Sequence, residues 1–410
     1  MKYSRGVNSN LTKQTGNHKL VAEEIALLIF CSLTVIPLAV ISLYGIIILY
    51  YSKNHKHADK TGEATNNDKS GFEPLVSVVV ATHNEEKIIS KKIENLLSSD
   101  YPSNKLEILF VDDSDDSTPS IISKMSEKSP NIRLLRFNQR IGYSPSMLAG
   151  CRAAQGEIVV LNDAGSFIDT HAISRIVSRL REPEIGVVTG NDVILNVAEE
   201  VGRSEGLYLK LLNFLRISQT NMDSTFFIKG EATGVRKVVL EGIEDVYETF
   251  DTTVGLYARQ KGYKIIYDPE VKFYEYAPNT HSGRIKQKTI RAANLIKVMW
   301  RFKFMMFNRK YGKYGLLTLP SNFALLTVLP VFILIWFLSL SALTFFDITF
   351  FAYVWAAIGI SILLLFVFSR RLLITFLEFE YSLLNANFHA MFMRKSYDKI
   401  DMVDSTRRIK

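Results

Sequence analysis

The sequence Gly156–Asp169 reads GEIVVLNDAGSFID and decides the predicted fold. Its apolar run, Ile158–Leu161, is too short to cross a membrane and has the length of a buried strand. The run ends at Asn162-Asp163, and small residues follow. In open α/β sheets, ligands bind beyond the carboxyl ends of the strands. A carboxylate there can hold a divalent metal against a diphosphate, whereas an Asp163 at the start of a helix would simply be its N-cap.

Strand-like and helix-like patterns alternate around this stretch. Strands are predicted at Val76–Ala81, Leu106–Val111 and Ile132–Phe137, and helices at Glu85–Leu97, Ser117–Lys128 and Ser144–Ala154. Such alternation is typical of an α/β domain with a parallel sheet wrapped by helices on both faces. We assign residues 72–282 to this domain.

The composition limits the class of protein. The chain has 410 residues, a net charge of +8 and 48% apolar residues. This length holds one large domain or two modest ones. Cys31 and Cys151 are the two cysteines, so there is neither a disulfide framework nor a cysteine-rich metal site.

Three uncharged apolar runs predict transmembrane helices at residues 25–51, 324–346 and 350–368. The first run begins late, is long and lacks a small-residue cleavage pattern, which favours an uncleaved anchor over a signal peptide. A polar tail (1–24) precedes this run and a polar linker (52–71) follows it. The turn between the last two runs carries no basic residue, whereas basic residues flank them on both outer sides. The positive-inside rule therefore predicts a multi-pass protein of the cell membrane with a cytoplasmic α/β domain.

The segment 283–313 contains ten basic residues and no acid, with aromatic residues between them. Arg284, Lys288 and Arg291 share one helical face. Nucleic acid is one partner for such a pattern. Because the segment directly precedes apolar spans, we instead expect a basic amphipathic helix on an anionic membrane surface, and no nucleic acid. The tail, 369–410, mixes aromatic and polar residues and is predicted to be a second surface helix or a further span.

Acidic loops follow three of the predicted strands. They are Ala81–Glu86, Val111–Thr118 and the residues after Leu161. The chain has no Gly-x-Gly-x-x-Gly motif and no P-loop. Acids that converge on a phosphate repel it unless a cation lies between them. The pattern therefore predicts a metal-bridged nucleotide at the carboxyl edge of the sheet.

Three ordered motifs carry a family resemblance. SVVVATHNEEKII (77–89), ILFVDDSDDST (108–118) and AAQGEIVVLNDAGS (153–166) resemble the opening half of the family 2 glycosyltransferases, which have the GT-A fold. Downstream, Thr249-Phe250-Asp251 lies before Gly262-Tyr263-Lys264-Ile265 at the family's spacing. The resemblance covers roughly residues 74–301 and implies a mixed, mostly parallel sheet with flanking transmembrane helices, as in members that act on lipid or polysaccharide acceptors.

The resemblance implies roles for the residues on the donor side. Thr82, Asn84 and Glu85 match the loop that holds the base and ribose of the nucleotide. Asp113 matches the acid that contacts the base. Asp163 matches the first acid of the family's Asp-x-Asp motif, which meets the metal and the diphosphate.

Further roles on the acceptor side follow in the same way. Asp251 matches the catalytic base, with a helix N-cap as its ordinary alternative. Gly230 and Glu231 fall in the loop that lines the sugar and acceptor. Arg291 lies where the family has a basic motif near the diphosphate, although contact with lipid headgroups is an equal alternative.

The chain departs from the family pattern at three places. The second acid of Asp-x-Asp is Gly165, so one metal ligand is missing or replaced. A position that is Lys in the family motif is Tyr143. Of the Gln-x-x-Arg-Trp motif of processive synthases, only Arg291 remains, which argues against a cellulose- or hyaluronan-type synthase.

These residues together predict an inverting hexosyltransferase with a nucleotide-sugar donor and Mg²⁺ or Mn²⁺ as cofactor. The acceptor is either a polyprenyl-phosphate-linked species or a polysaccharide. The alternative is a catalytically inactive membrane scaffold or nucleotide-sugar-binding protein that retains the fold.

Overall fold

The computed structural model describes residues 30–53 (except 33 and 36), 71–196, 200–246, 248–276, 280–344 and 348–392, together with 24 and 28. Its contacts divide the chain into two compact units. The larger unit comprises Ile48–Phe323 and Tyr381–Lys410, and the smaller unit comprises Met1–Ile47 and Ala324–Glu380. The predicted tail 1–24, linker 52–71 and the end of the C-terminal tail lie almost wholly outside the described residues.

The larger unit contains a mixed sheet with the strand order β3-β2-β1-β4-β7-β6-β8-β5. Its strands are β1 (Val76–Thr82), β2 (Leu106–Asp112), β3 (Ile132–Arg136), β4 (Ile158–Asp163), β5 (Phe167–Ile168), β6 (Ile185–Ile194), β7 (Thr233–Arg236) and β8 (Lys264–Glu275). The pairs β1–β2, β1–β4, β2–β3 and β6–β8 are parallel. The sequence-predicted strands are confirmed to within about two residues at each end, the usual uncertainty of such boundaries.

The first strands form the centre of the core. Val78, Phe110 and Val160 are fully buried on β1, β2 and β4. Strands that are covered on both faces read as continuous apolar runs rather than as alternating patterns. This is why these three strands could be predicted from the sequence.

β7 runs antiparallel to both of its neighbours, β4 and β6. Its first residue, Thr233, pairs with Leu161 near the end of β4. The turn Gly230–Ala232 directly precedes β7, so it lies at the sheet edge where β4 ends. Gly234 allows a helix to pack tightly on β7, because a Cβ there would lie 2.0 Å from Cγ2 of Ile176.

The described residues also form helices in both units. In chain order they are α1 (Phe30–Lys53), α2 (Ile89–Leu97), α3 (Thr118–Ser126), α4 (Tyr143–Ala153), α5 (Ala172–Leu180), α6 (Glu200–Met222), α7 (Lys237–Leu240), α8 (Phe250–Gln260), α9 (His281–Arg301), α10 (Tyr314–Leu343) and α11 (Ile348–Phe392). α11 has one non-helical residue, Ser369.

The smaller unit is helical. The indole N–H of Trp336 donates to Oγ1 of Thr34 at 2.8 Å, and the Trp336 ring stacks on Phe30 at 5.5 Å. Among the described residues, α1 and α10 are long and apolar enough to cross a membrane, whereas the apolar stretch Ala352–Leu364 of α11 is shorter. The predicted division into three spans stays a prediction.

Candidate active site

The carboxyl ends of β1, β2 and β4 meet at one edge of the sheet. Thr82 pairs with Asp112, and Ala81 pairs with Asp163. The acidic loops that follow these strands therefore lie side by side, as the sequence predicted.

The first loop is tied to the second by hydrogen bonds. Thr82 Oγ1 donates to Asp112 Oδ1 at 2.8 Å. Asn84 has a left-handed backbone (φ +56°), which asparagine tolerates better than most residues, and its Oδ1 accepts from the Asp115 amide at 2.9 Å. The Glu85 amide donates to Thr118 Oγ1 at 2.8 Å. The structure brings these three predicted nucleotide-binding residues together, and their contact with a nucleotide stays a prediction.

Asp113 is buried beside the candidate crevice, the region at this sheet edge that also contains Asp163, Asp251, Glu231 and Arg291. Its Oδ2 accepts from the amides of Ile141 and Gly142 at 2.9 and 3.2 Å. Its Oδ1 lies 2.9 Å from Nδ1 of His83, a residue to which the sequence assigned no role. Asp113 therefore fixes the turn before α4 as well as lying at the predicted base-binding position.

Asp163 ends β4 and is not a helix cap, because a turn and the short strand β5 follow it. Its Oδ1 accepts the hydroxyl proton of Tyr143 at 2.6 Å. Burial and the nearby Glu231 carboxylate raise the pKa of Asp163 to about 7, although the Tyr143 hydrogen bond and Arg291 act in the opposite direction. A cation bound next to Asp163 would stabilise the ionised form of this carboxylate.

Asp251 lies in the first turn of α8 and faces the loop before β7. Its Oδ2 accepts from the Gly230 amide at 3.1 Å, and its Oδ1 accepts from the Thr252 amide at 2.6 Å. The N-cap alternative is wrong, because the N-cap residue is Thr249. Burial and the Glu231 carboxylate raise the pKa of Asp251, the direction that makes a carboxylate a better proton acceptor.

Glu231 and Arg291 close the other side of the crevice. Arg291 lies 3.4 Å from Glu231 Oε1, and its side chain is 43% exposed. Burial lowers the pKa of Arg291, but the Glu231 and Glu275 carboxylates outweigh burial and raise it. Arg291 is therefore a permanent cation at the crevice and is partly free to contact a ligand.

The expected basic surface on α9 requires a correction. Arg284 is 1% exposed, and its Nε lies 2.8 Å from Glu205 Oε2. Lys288 Nζ lies 3.2 Å from the same oxygen. The helical face was predicted correctly, but an acid on α6 pairs with these two cations, so they do not form a lipid-facing surface. The sequence spacing along α9 carries no information about this distant partner.

Sequence reasoning missed two groups beside Asp163. Tyr143 was noted only as a departure from the family pattern, yet it contacts Asp163 directly. The buried Lys92 of α2 donates to the Ser166 carbonyl, and burial lowers its pKa to about 7 despite the opposite effect of Asp163. The signal for Lys92 was its position on the apolar face of α2, between Ile89 and Ile93.

A divalent metal fits this site only if a bound substrate supplies some of its ligands. Within the part of the chain that the structure describes, no three His, Cys, Asp or Glu side chains are grouped to hold a metal ion. Mg²⁺ and Mn²⁺ commonly use one or two carboxylates, with waters and substrate phosphates completing the coordination. Asp163 supplies one carboxylate, and Gly165 offers no second side-chain ligand. A metal here would therefore be held jointly by Asp163 and a bound diphosphate.

The arrangement suits a group transfer from a phosphorylated donor. One side of the crevice carries Asp163 and the first two loops, and the other side carries Asp251, Glu231 and Arg291. A buried carboxylate that can accept a proton thus shares the crevice with a cation that can balance a phosphate.

Comparisons with known proteins agree with this geometry. The sequence model described as Glycosyl transferase family 2 matches residues 77–243. The chain is 27% identical over 241 residues to a poly-β-1,6-N-acetyl-D-glucosamine synthase of Staphylococcus aureus (strain COL), which covers 57% of this chain and 58% of the synthase. It is 26% identical over 248 residues to a probable glycosyltransferase, YdaM, of Bacillus subtilis (strain 168), with 58% and 59% covered. The match thus spans less than two thirds of the length of either relative.

A solved structure shows the same fold. Mannosyltransferase PcManGT from Pyrobaculum calidifontis, in complex with GDP-Man and Mn²⁺, superposes with a TM-score of 0.67 and 23% sequence identity. The superposition covers 88% of this chain and 100% of that chain. The expected GT-A fold is confirmed.

Proposed function

We propose that the chain is a membrane-bound, inverting glycosyltransferase, because residues 77–243 match the sequence model described as Glycosyl transferase family 2. It transfers a hexose from a nucleotide sugar to a polysaccharide or to a polyprenyl-phosphate-linked acceptor. The name of the S. aureus relative, an N-acetylglucosamine polymer synthase, favours the polysaccharide and makes UDP-GlcNAc the first donor to test.

The observation that carries this proposal is the placement of Asp251. The carboxylate lies at the start of α8, where the Gly230 amide orients it. Burial and Glu231 raise its pKa, and Asp163 and Arg291 lie in the same crevice. Carboxylates with perturbed pKa values in clefts are enriched at functional sites.

In the proposed reaction, Asp251 accepts the proton of the attacking acceptor hydroxyl. The hydroxyl oxygen forms a bond to the anomeric carbon as the bond to the nucleoside diphosphate breaks. A single displacement inverts the anomeric configuration. General-base catalysis of this kind commonly contributes about a hundred- to ten-thousand-fold in rate.

Negative charge collects on the leaving diphosphate. Arg291, at the other side of the crevice, can balance part of this charge. Asp163 would hold a divalent metal together with the diphosphate, and this metal would supply Lewis-acid stabilisation of the leaving group. Mn²⁺ in the complex of the archaeal mannosyltransferase supports testing Mn²⁺ as well as Mg²⁺.

The apolar helices α1 and α10 support the proposed membrane location. We propose a multi-pass protein of the cell membrane whose catalytic domain is cytoplasmic. The turn between the last two predicted spans carries no basic residue, whereas basic residues flank these spans on their outer sides, and this distribution favours the proposed orientation.

The test uses membranes that contain the full chain, labelled UDP-GlcNAc or GDP-mannose, and Mg²⁺ or Mn²⁺. Products are extracted with organic solvent, and membranes with Asp251→Asn serve as control. Label in solvent-insoluble material that is lost in the variant supports a polysaccharide acceptor, and label in the solvent phase supports a lipid-linked acceptor. If neither donor is incorporated while nucleotide still binds, the inactive-scaffold alternative replaces the proposal.

A further inference from the structure

A row of buried ion pairs lies behind the loop that orients Asp251. Arg216 of α6 and Asp192 of β6 are both fully buried, and their side chains meet at 2.8 Å. The second oxygen of Asp192 lies 2.5 Å from Nζ of Lys229. Burial alone would raise the pKa of Asp192, but Lys229 and Arg216 outweigh burial and lower it. Asp192 therefore stays ionised inside the protein, next to the two cations.

The other end of the loop is held as well. The Glu231 carbonyl accepts a hydrogen bond from the side-chain amide of Asn162, the residue next to Asp163. The Glu231 side chain pairs with Arg291. Lys229 and Glu231 thus carry opposite charges on either side of Gly230, and each has a partner on a different element of the fold.

Gly230 itself has little room to move toward α4. A Cβ at this position would lie 3.0 Å from the Tyr143 hydroxyl and 3.6 Å from Oδ2 of Asp251. The Gly230 amide is the main-chain donor to that oxygen. A shift of the loop would release Oδ2 of Asp251, while the other oxygen kept its bond to Thr252.

We propose that Lys229 is a positioning residue for the proposed transfer: its ion pair with Asp192 holds the Gly230 amide against Asp251. This inference rests on the proposed function and extends it to residues of β6 and α6 that do not border the crevice. A misplacement of about 1 Å at a reacting group can cost roughly a hundredfold in rate. Loss of the Lys229 charge should therefore lower kcat more than it lowers donor affinity.

The chain provides a matched control. Asp268 also has two cationic partners, Arg175 at 2.9 Å and Arg179 at 2.5 Å. The Arg175 side chain is 18% exposed, close to the 15% of Lys229. Arg175→Met and Lys229→Met each remove one of two cations from a buried aspartate and leave the other in place. The two substitutions should lower the melting temperature by similar amounts, but only Lys229 lies next to Gly230, whose amide contacts Asp251.

The experiment measures kcat, the KM for the labelled donor, and the melting temperature of the full-length protein and its variants. We expect Lys229→Met to lower kcat by about 10- to 100-fold with the KM unchanged within about threefold. Lys229→Arg, which restores the charge, should recover most of kcat, and Arg175→Met should leave kcat near that of the unchanged protein.

Two results would overturn the inference. One is equal kcat in Lys229→Met and Arg175→Met. The other is a loss in Lys229→Met that Lys229→Arg does not restore although the protein is folded. If the protein without substitutions transfers no sugar, the proposed function is wrong. Failure of the proposed function can thus be distinguished from failure of the inference about Lys229.

Discussion

Replacing Asp251 with asparagine tests the proposed base with almost no change of shape. Each carboxylate oxygen accepts one amide hydrogen bond, from Gly230 at 3.1 Å and from Thr252 at 2.6 Å. Asparagine keeps one acceptor and turns its NH₂ group toward the other amide. One unsatisfied buried donor costs about 1–3 kcal/mol, which a folded domain can tolerate.

The expected loss of activity follows from the chemistry. The amide of asparagine cannot take a proton from the acceptor hydroxyl at neutral pH. Removal of a general base costs about 10²- to 10⁴-fold, which corresponds to about 3–5 kcal/mol of transition-state stabilisation. Donor affinity should change by less than about threefold, because the lost interaction operates mainly in the transition state.

The assay measures incorporation of labelled sugar by membranes at saturating donor, together with donor affinity. The control is Asp100→Asn, because the Asp100 carboxylate is hydrogen-bonded to His171 and Ser174 on the protein surface, away from the proposed site. This control should retain full activity. If Asp251→Asn keeps more than about a third of the rate, Asp251 is not a general base, and an acceptor phosphate that is already ionised becomes the better explanation.

The remaining predictions concern pH, stability and packing. The proposed base, Asp251, must be deprotonated to act, and its pKa is raised. We therefore expect kcat to fall with decreasing pH, with a midpoint above the ordinary carboxyl range. Glu231→Gln removes a neighbouring negative charge and should lower this midpoint in a pH–kcat profile. Because the pKa of Asp163 is raised to about 7 in the folded protein, this residue lowers stability progressively as the pH rises from about 4 to about 7, and its full cost is present above pH 7. Asp163→Asn should therefore raise the melting temperature at pH 8 by at least about 2 °C, the shift that about 1 kcal/mol gives, and by less at pH 5; an equal or lower melting temperature at pH 8 would contradict the assignment. Gly234→Ala should cost about 1–3 kcal/mol through overpacking against Ile176. Gly206→Ala on α6, where a Cβ meets nothing within 4 Å, should instead stabilise by about 0.5–1 kcal/mol, and thermal unfolding compares the two.

The part of the fold that carries the predicted nucleotide-binding residues could be predicted because its sequence patterns are local. β1, β2 and β4 are continuous apolar runs that end in acids, and parallel strands bring those ends to one edge. The position of Asp163 in the crevice follows from this pattern alone. Asp251 needed the family resemblance, since an acid at the start of a helix is ordinary by itself.

Tertiary partners could not be predicted in the same way. β7 has four residues, one of them Gly234, and a segment this short carries no clear period. The pairing of Lys229 with Asp192 joins residues 37 positions apart in sequence, and Arg284 finds Glu205 across 79 positions. Hydrophobic periodicity reports which face of an element is buried, but it does not report which charges meet inside.

The reversed direction of β7 has a consequence for how such enzymes diversify. In the proposed site, the donor side consists of residues that follow strands, and the acceptor side includes a loop that precedes a strand. The two sides are encoded in separate blocks, before and after residue 170, and they meet where β4 pairs with β7 and through side chains such as Asn162 and Tyr143. Exchange of the later block is therefore expected to change the proposed acceptor side and to leave the proposed nucleotide side intact. Chimeras joined near residue 170 would test this division of the proposed site.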